Sequence, residues 1–148
     1  MSKKARKEAN RVASLIKSNK AEYYIADTDL GDNSNDVLSA AKNVNKSLGK
    51  FKSAFMILSA GKTKLTVVVY VPNELSDKID MNEWTRKSLI GLTPASQVME
   101  DMYVITTIES DRPFKLIDTV RGNGFAHLNR TGCIEEESSE EFVGFDDI

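Results

Sequence analysis

The stretch SAFMILSAGKTKLTVVVYVP, Ser53 to Pro72, decides the fold. It holds two β-rich runs, Ser53–Ala60 and Lys64–Pro72, joined by Gly61-Lys62-Thr63. A short gap with a glycine between two such runs signals a hairpin. The runs are nearly continuous in apolar residues, which predicts central strands covered on both faces. Pro72 has no N–H to donate and ends the second strand. The linker spells the GKT of a phosphate loop, but the motif's upstream glycine falls on Met56, so the motif fails and the turn reading stands.

Upstream, EYYIAD (Glu22–Asp27) predicts a short strand. TDLGDNSN follows as turn chemistry, with Gly31 for an easy positive φ. A helix is expected from about Asp36 to Leu48, with Val37, Ala41, Val44 and Leu48 on one face and Gly49 as its stop. Residues 2–20 predict a helix with a thin stripe of Ala5, Ala9, Val12, Leu15 and Ile16. So small a stripe needs a partner surface, either the α/β body or a second copy.

Downstream, Asp80 and Glu83 have capping-box spacing and open a helix running to Leu92, with Trp84 in the core. After Gly91 comes a polar loop. Met102–Ser110 predicts a strand, Phe114–Val120 another, and RGNGFAHLNRTG (121–132) a loop. The segment 102–120 is expected to extend the sheet, because two strands alone are marginal in water. The fold class is therefore α/β: an N-terminal helical arm, then a small mixed sheet packed with two main helices. The expected division is a basic helical arm over 1–20, an α/β globular domain over 21–134 and an acidic tail over 135–148.

Formal charge is −2, from 20 Lys and Arg against 22 Asp and Glu. Residues 1–20 carry seven cations and Glu8, so +6, and residues 135–148 carry seven carboxylates and no cation, so −7. Only the head is basic, and the tail is placed to screen it by folding back. Lys3, Lys4, Lys7 and Arg11 of the head are candidate nucleic-acid contacts, together with the scattered Lys62, Lys64, Arg86, Lys87 and Arg121. The RGNG run (121–124) is a weak anion-binding signal.

Catalytic signals are few. The one histidine, His127, has no cysteine or carboxylate at metal-ligand spacing, so no metal site is expected. Cys133 follows it by six residues, without the orienting group a nucleophilic pair needs. A lone thiol suits a reducing, cytoplasmic compartment, and no apolar run is long enough to span a bilayer, so no membrane partner is expected.

The order of elements goes further. The lysine-rich helix, YYIAD, NDVLSAAKNVNKSL, the Ser53–Pro72 hairpin and MNEWTRKSLIGL resemble the C-terminal domain of alanyl-tRNA synthetase, a DHHA1-type module, over roughly residues 1–92. The VP closing the hairpin and the tryptophan helix favour a eukaryotic cytoplasmic type. The resemblance implies a non-catalytic accessory domain of an ATP-dependent alanine–tRNA ligase, in which ATP belongs to the parent and zinc in the parent stays open. It implies tRNA, the rest of the synthetase and a homodimer as partners. In the family, the helix matching Asp80–Leu92 is followed by a glycine-rich basic loop that binds tRNA. Here Gly91 is followed by Leu92-Thr93-Pro94-Ala95-Ser96-Gln97, without glycine or cation. The expectation is weak, mostly nonspecific tRNA binding. The alternative is an interaction or dimerisation module that kept the fold and lost the RNA role. A DHH-type phosphoesterase fragment is disfavoured, since no Asp-His-His run is present.

Overall fold

The computed structural model describes residues 2–134. The expected acidic tail, 135–148, lies outside the described residues. Helix α1 spans Lys3–Asn19, strand β1 Tyr23–Thr28, helix α2 Ser34–Leu48, and the hairpin strands β2 and β3 Ala54–Ala60 and Lys64–Tyr70. Helix α3 (Met81–Ser88), strands β4 (Ser96–Glu100) and β5 (Tyr103–Glu109) and helix α4 (Leu116–Arg130) follow. The sheet order is β1-β2-β3-β5-β4. β1 and β2 run parallel across the α2 crossover, and the other pairs are antiparallel.

The hairpin expectation holds, and both faces of its strands are covered. Phe55, Ile57 and Val68 point to the face packed by α1 and α2. Met56, Leu58, Val67 and Val69 point to the face packed with Trp84 of α3 and Val120 and Leu128 of α4. Trp84 is fully buried, and its Nε1 donates to the Gly124 carbonyl at 3.2 Å. Burying a large aliphatic side chain stabilises by about 1.5–3 kcal/mol, so the double covering makes β2 and β3 the centre of the fold. The N-terminal helix lies on α2 rather than standing free. Ala5, Ala9, Val12 and Ile16 are all fully buried. Ser2 caps its first turn by accepting from the Ala5 N–H at 3.0 Å and donates its own hydroxyl to Asp36 at 3.2 Å, so the two helices start side by side.

Three expectations are corrected. The strand Phe114–Val120 is absent: Pro113–Lys115 form a 3-10 turn that leads into α4. The loop expected over 121–132 is the rest of that helix. Gly122 and Gly124 both avoid the left-handed region, and Val120, Gly124, His127 and Leu128 make one buried stripe. Tertiary packing overrides the low helix propensity of two glycines. Among the described residues the architecture is α/β with a mixed sheet, as expected, and holds four α-helices, where two main helices and an arm are expected from sequence.

The third correction concerns the polar loop after Gly91, which contains strand β4. Asp101 (φ 52°) and Met102 (φ 73°) make the two left-handed residues of a primed hairpin turn onto β5. β5 then pairs along the whole of β3, from Lys64 opposite Glu109 to Tyr70 opposite Tyr103. Sheet extension beyond β3 is therefore as expected, but through residues 96–109, and β4 forms the edge. No helix among the described residues is long and apolar enough to cross a membrane.

Candidate nucleic-acid interface

The expected cations do not form one surface. At the hairpin turn, Lys62 and Lys64 flank backbone that already holds an anion from the chain itself. The Asp32 carboxylate accepts from Thr63 N–H at 3.3 Å, Lys64 N–H at 3.2 Å and Thr63 Oγ1 at 3.0 Å. Desolvation raises its pKa, but the bonds from Thr63, Lys64 and Lys62 outweigh that and leave it lowered. The letters of a phosphate loop here cradle a carboxylate.

The end of the sheet that carries the C-terminus of β1 is neutralised too. Lys4 pairs with Asp29 at 3.1 Å. Arg11 Nε pairs with Glu8 at 3.0 Å, and its Nη2 donates to the Asp27 carbonyl at 2.7 Å. Arg121 reaches from α4 to Asp27 and Asp118. The Arg11 hydrogen bond, with Asp29 N–H adding to it, holds the Glu8 carboxyl below its ordinary value against the cost of burial. Four carboxylates meet three cations, and a 400 Å³ cavity between them is lined in part by Phe114 and Ile117. Such exposed pairs contribute little stability each, but they cancel charge that an RNA would need.

Arg86 sits 3.5 Å from Glu83 on the same helix. It lines a 510 Å³ groove between α3 and β4 that also holds Asp80, Glu83, Leu89 and Ile90. This groove is apolar and mildly acidic. Lys3 and Lys7 on α1 and Lys87 on α3 make no ion pair among the described residues, and nothing brings them together.

Sequence reasoning missed a cluster of lysines where the first two helices end. α1 and α2 run side by side, so their C-termini meet. Ala54 N–H donates to the Glu22 carbonyl at 2.8 Å, and Ser53 Oγ donates to the Ala21 carbonyl at 2.8 Å. Those bonds pin the segment after α1 against the segment after α2. Lys17 and the C-cap Lys20 end the first helix, Lys46 lies in the last turn of the second, and Lys50 and Lys52 follow it. All five are exposed and make no ion pair among the described residues, and Glu22 is the only carboxylate in the two connecting segments. Lys17 and Lys46 in the last helical turns also complement the helix dipoles. Lys50 and Lys52 lie beyond the helix and have no such role. The available signal was topological: a parallel β1-α2-β2 unit behind α1 must align the two helix ends.

His127 is buried in α4, and its Nδ1 has no hydrogen-bond partner. Burial lowers its pKa; Glu83 opposes this, and Arg130, Lys87 and Arg86 add to it. Cys133 contacts Thr131 Oγ1 at 3.3 Å and the Lys78 carbonyl at 3.5 Å instead of the histidine. No group of three or more His, Cys, Asp or Glu among the described residues is placed to hold a metal ion. No protein-family model matches the chain, and no curated protein matches it significantly.

Proposed function

We propose that the chain is a non-catalytic accessory domain that holds tRNA weakly by its phosphates, in the manner suggested by the likeness of residues 1–92 to the C-terminal domain of alanyl-tRNA synthetase. The observation that carries this reading is the convergence of Lys17, Lys20, Lys46, Lys50 and Lys52 at one end of the sheet, with no ion pair among the described residues. Clustered lysines without aromatic platforms or base-reading side chains favour backbone contact over sequence readout. Residues 1–134 carry 20 cations and 15 carboxylates, a net +5, of which residues 1–20 supply +6 and residues 21–134 carry −1.

The test is a salt-controlled titration of the full chain with the tRNA for alanine and with an unrelated tRNA. Both should bind with similar affinity and lose it steeply as salt rises. Lys50→Gln with Lys52→Gln should reduce the slope of log K against log salt by about two. Tight binding selective for the alanine tRNA, or binding indifferent to both lysines, overturns the proposal.

One observation favours a second reading, an interaction or dimerisation module. Every residue of β4 is exposed, and its outer edge has no strand partner among the described residues. Val98, Met99, Met102 and Ile90 stand 50–60% exposed around it. An open edge of this kind invites a further strand. Sedimentation of the wild type and of Val98→Lys decides this: a dimer dissolved by the lysine supports it, and a monomer at high concentration removes it.

A further inference from the structure

We infer that two copies of this chain pair through β4, antiparallel and centred on Val98, and that each copy's Met99 closes the groove between α3 and β4 of the other. This deepens the interaction reading given above, on which it rests, and leaves the tRNA reading untouched. Three observations lead to it. The first is where exposed apolar surface lies. Among the described residues the large apolar side chains left exposed are Ile90, Val98, Met99, Met102 and Phe114, and all but Phe114 stand on or beside β4. Pairing with β5 sets the directions of two of them, because directly opposite residues share a face. Val98 lies opposite Ile105, on the face of α1 and α2, and Met99 opposite Val104, on the face of α3 and α4. A strand with apolar residues on both faces suits the interior of a sheet, yet β4 is an edge with no outer strand partner among the described residues. It carries no lysine or proline to guard it. The other edge strand, β1, is guarded, with Arg11 on the Asp27 carbonyl and Arg121 on the Asp27 carboxylate.

The second observation is that β4 is complementary to itself. In an antiparallel pair centred on Val98, Val98 faces its own copy, Gln97 faces Met99 and Ser96 faces Glu100. All five residues then pair, and no charge opposes a like charge. The two Glu100 carboxylates stand four residues apart along the pair, about 14 Å, beyond the ~8 Å screening length at physiological salt. Lys42 already bonds Glu100 at 3.5 Å and Asp101 at 2.8 Å, so the acidic end arrives partly neutralised. Neighbouring registers are worse. One centred on Glu100 sets carboxylate against carboxylate, and one centred on Gln97 sets Glu100 against Pro94, which has no N–H. One centred on Met99 sets Ser96 against Met102 in the hairpin turn.

The third observation is the groove. Gln97 lies on the α3 face, where its Nε2 donates to Thr106 Oγ1 at 2.8 Å, and it lines the groove together with Leu89, Ile90 and Leu92. In the register centred on Val98 the partner's Met99 stands directly opposite Gln97, with Cβ atoms about 5 Å apart, and so enters that groove. An unbranched thioether fills an irregular apolar recess well, and two-fold symmetry fills both grooves at once. Nucleic acid does not suit this edge, since Asp80, Glu83, Glu100 and Asp101 stand against Arg86 and Lys42. The uncharged run from Ser96 to Met99 of a second copy does.

The experiment traps the register. Full-length variants carry Cys133→Ser, so that an introduced thiol stands alone. Opposite Cα atoms in an antiparallel pair are about 4.5–5.5 Å apart, within the roughly 4.4–6.8 Å that a disulfide spans. Mild oxidation should therefore link Val98→Cys to itself and should link Ser96→Cys to Glu100→Cys when the two are mixed. Ser96→Cys, Glu100→Cys and Met99→Cys, each by itself, should stay unlinked. Sedimentation of the Cys133→Ser background should show a dimer that grows with concentration. Met99→Ala empties both grooves and should weaken that dimer at least about tenfold, and Met99→Leu, which refills them, should restore most of the loss. A dimer in which Val98→Cys fails to link, or which Met99→Ala leaves intact, overturns the inference and leaves the interaction reading standing. A monomer at high concentration overturns both.

Discussion

Two glycines two residues apart in α4 have opposite surroundings, which makes Gly122→Ala and Gly124→Ala a sharp pair. At Gly122 an added methyl meets no atom within 4 Å. Alanine in a helix interior is favoured over glycine by about 0.8–1.0 kcal/mol, so Gly122→Ala should stabilise by about that much and raise Tm by about 4 °C. At Gly124 the methyl would sit 2.7 Å from Ile25 Cδ1, 3.1 Å from Ser88 Oγ and 3.6 Å from Trp84 Nε1. Crowding of a packed core costs about 1–3 kcal/mol, which exceeds the propensity gain, so Gly124→Ala should be destabilised by about 1 kcal/mol. Ile25→Val deletes the closest atom and should recover part of that loss, a coupling that a double-mutant cycle measures. Urea unfolding followed by Trp84 fluorescence gives all four values. If Gly122→Ala destabilises, the segment is not helical and the loop reading of RGNG returns. If both alanines stabilise equally, α4 does not approach α3 and β1 as closely as described.

The remaining predictions concern turns and a buried base. Met102→Gly should stabilise by about 0.5–1 kcal/mol, because Asp-Gly suits a primed hairpin turn that methionine occupies at φ 73°; a loss of stability in thermal unfolding would contradict that turn. Gly61→Ala places a methyl 1.8 Å from Asp32 Oδ1 and should evict the carboxylate. It should lower Tm about as much as Asp32→Ala, and the double variant should be no worse than either single change; additive losses would show two separate roles. His127 has a folded pKa below its ordinary 6.5, so the unfolded chain takes the proton first as pH falls. Stability should drop from about pH 6.5 down to the lowered folded value. His127→Asn should flatten that part of the stability–pH curve, whatever its effect on stability itself, and an unchanged slope would refute the assignment.

The elements legible in the sequence are those whose hydrophobic pattern matches their burial. α2 shows one apolar face and β2 and β3 show continuous runs, because both faces of those strands are covered. β4 was illegible for the opposite reason. All five of its residues are exposed, so no alternation marks it, and pairing to β5 alone makes it a strand. Its turn carries no glycine and sends no hairpin signal. α4 was hidden by Gly122, Gly124 and the β-branched Ile117, Thr119 and Val120, and only contact with α3 and β1 explains the helix. Of the candidate site, the head cations were visible as composition, but whether they meet an RNA or a carboxylate depends on fold. Lys4, Arg11 and Arg121 meet carboxylates, and the free lysines collect at helix ends far apart in sequence.

The placement of β5 between β3 and β4 has a consequence in time. β3 emerges from the ribosome with one edge already paired to β2, while its other edge waits for residues 103–109. The gap from Tyr70 to Glu109 is 109 − 70 = 39 residues, which takes about 2–8 s at typical synthesis rates of ~5–20 residues per second. Through those seconds the nascent chain carries Val67, Val68 and Val69 on an unpaired strand edge, the residues that later lie deepest in the sheet. Newly made chains are therefore most exposed to strand-to-strand capture by their neighbours on a polysome just before residues 103–109 appear.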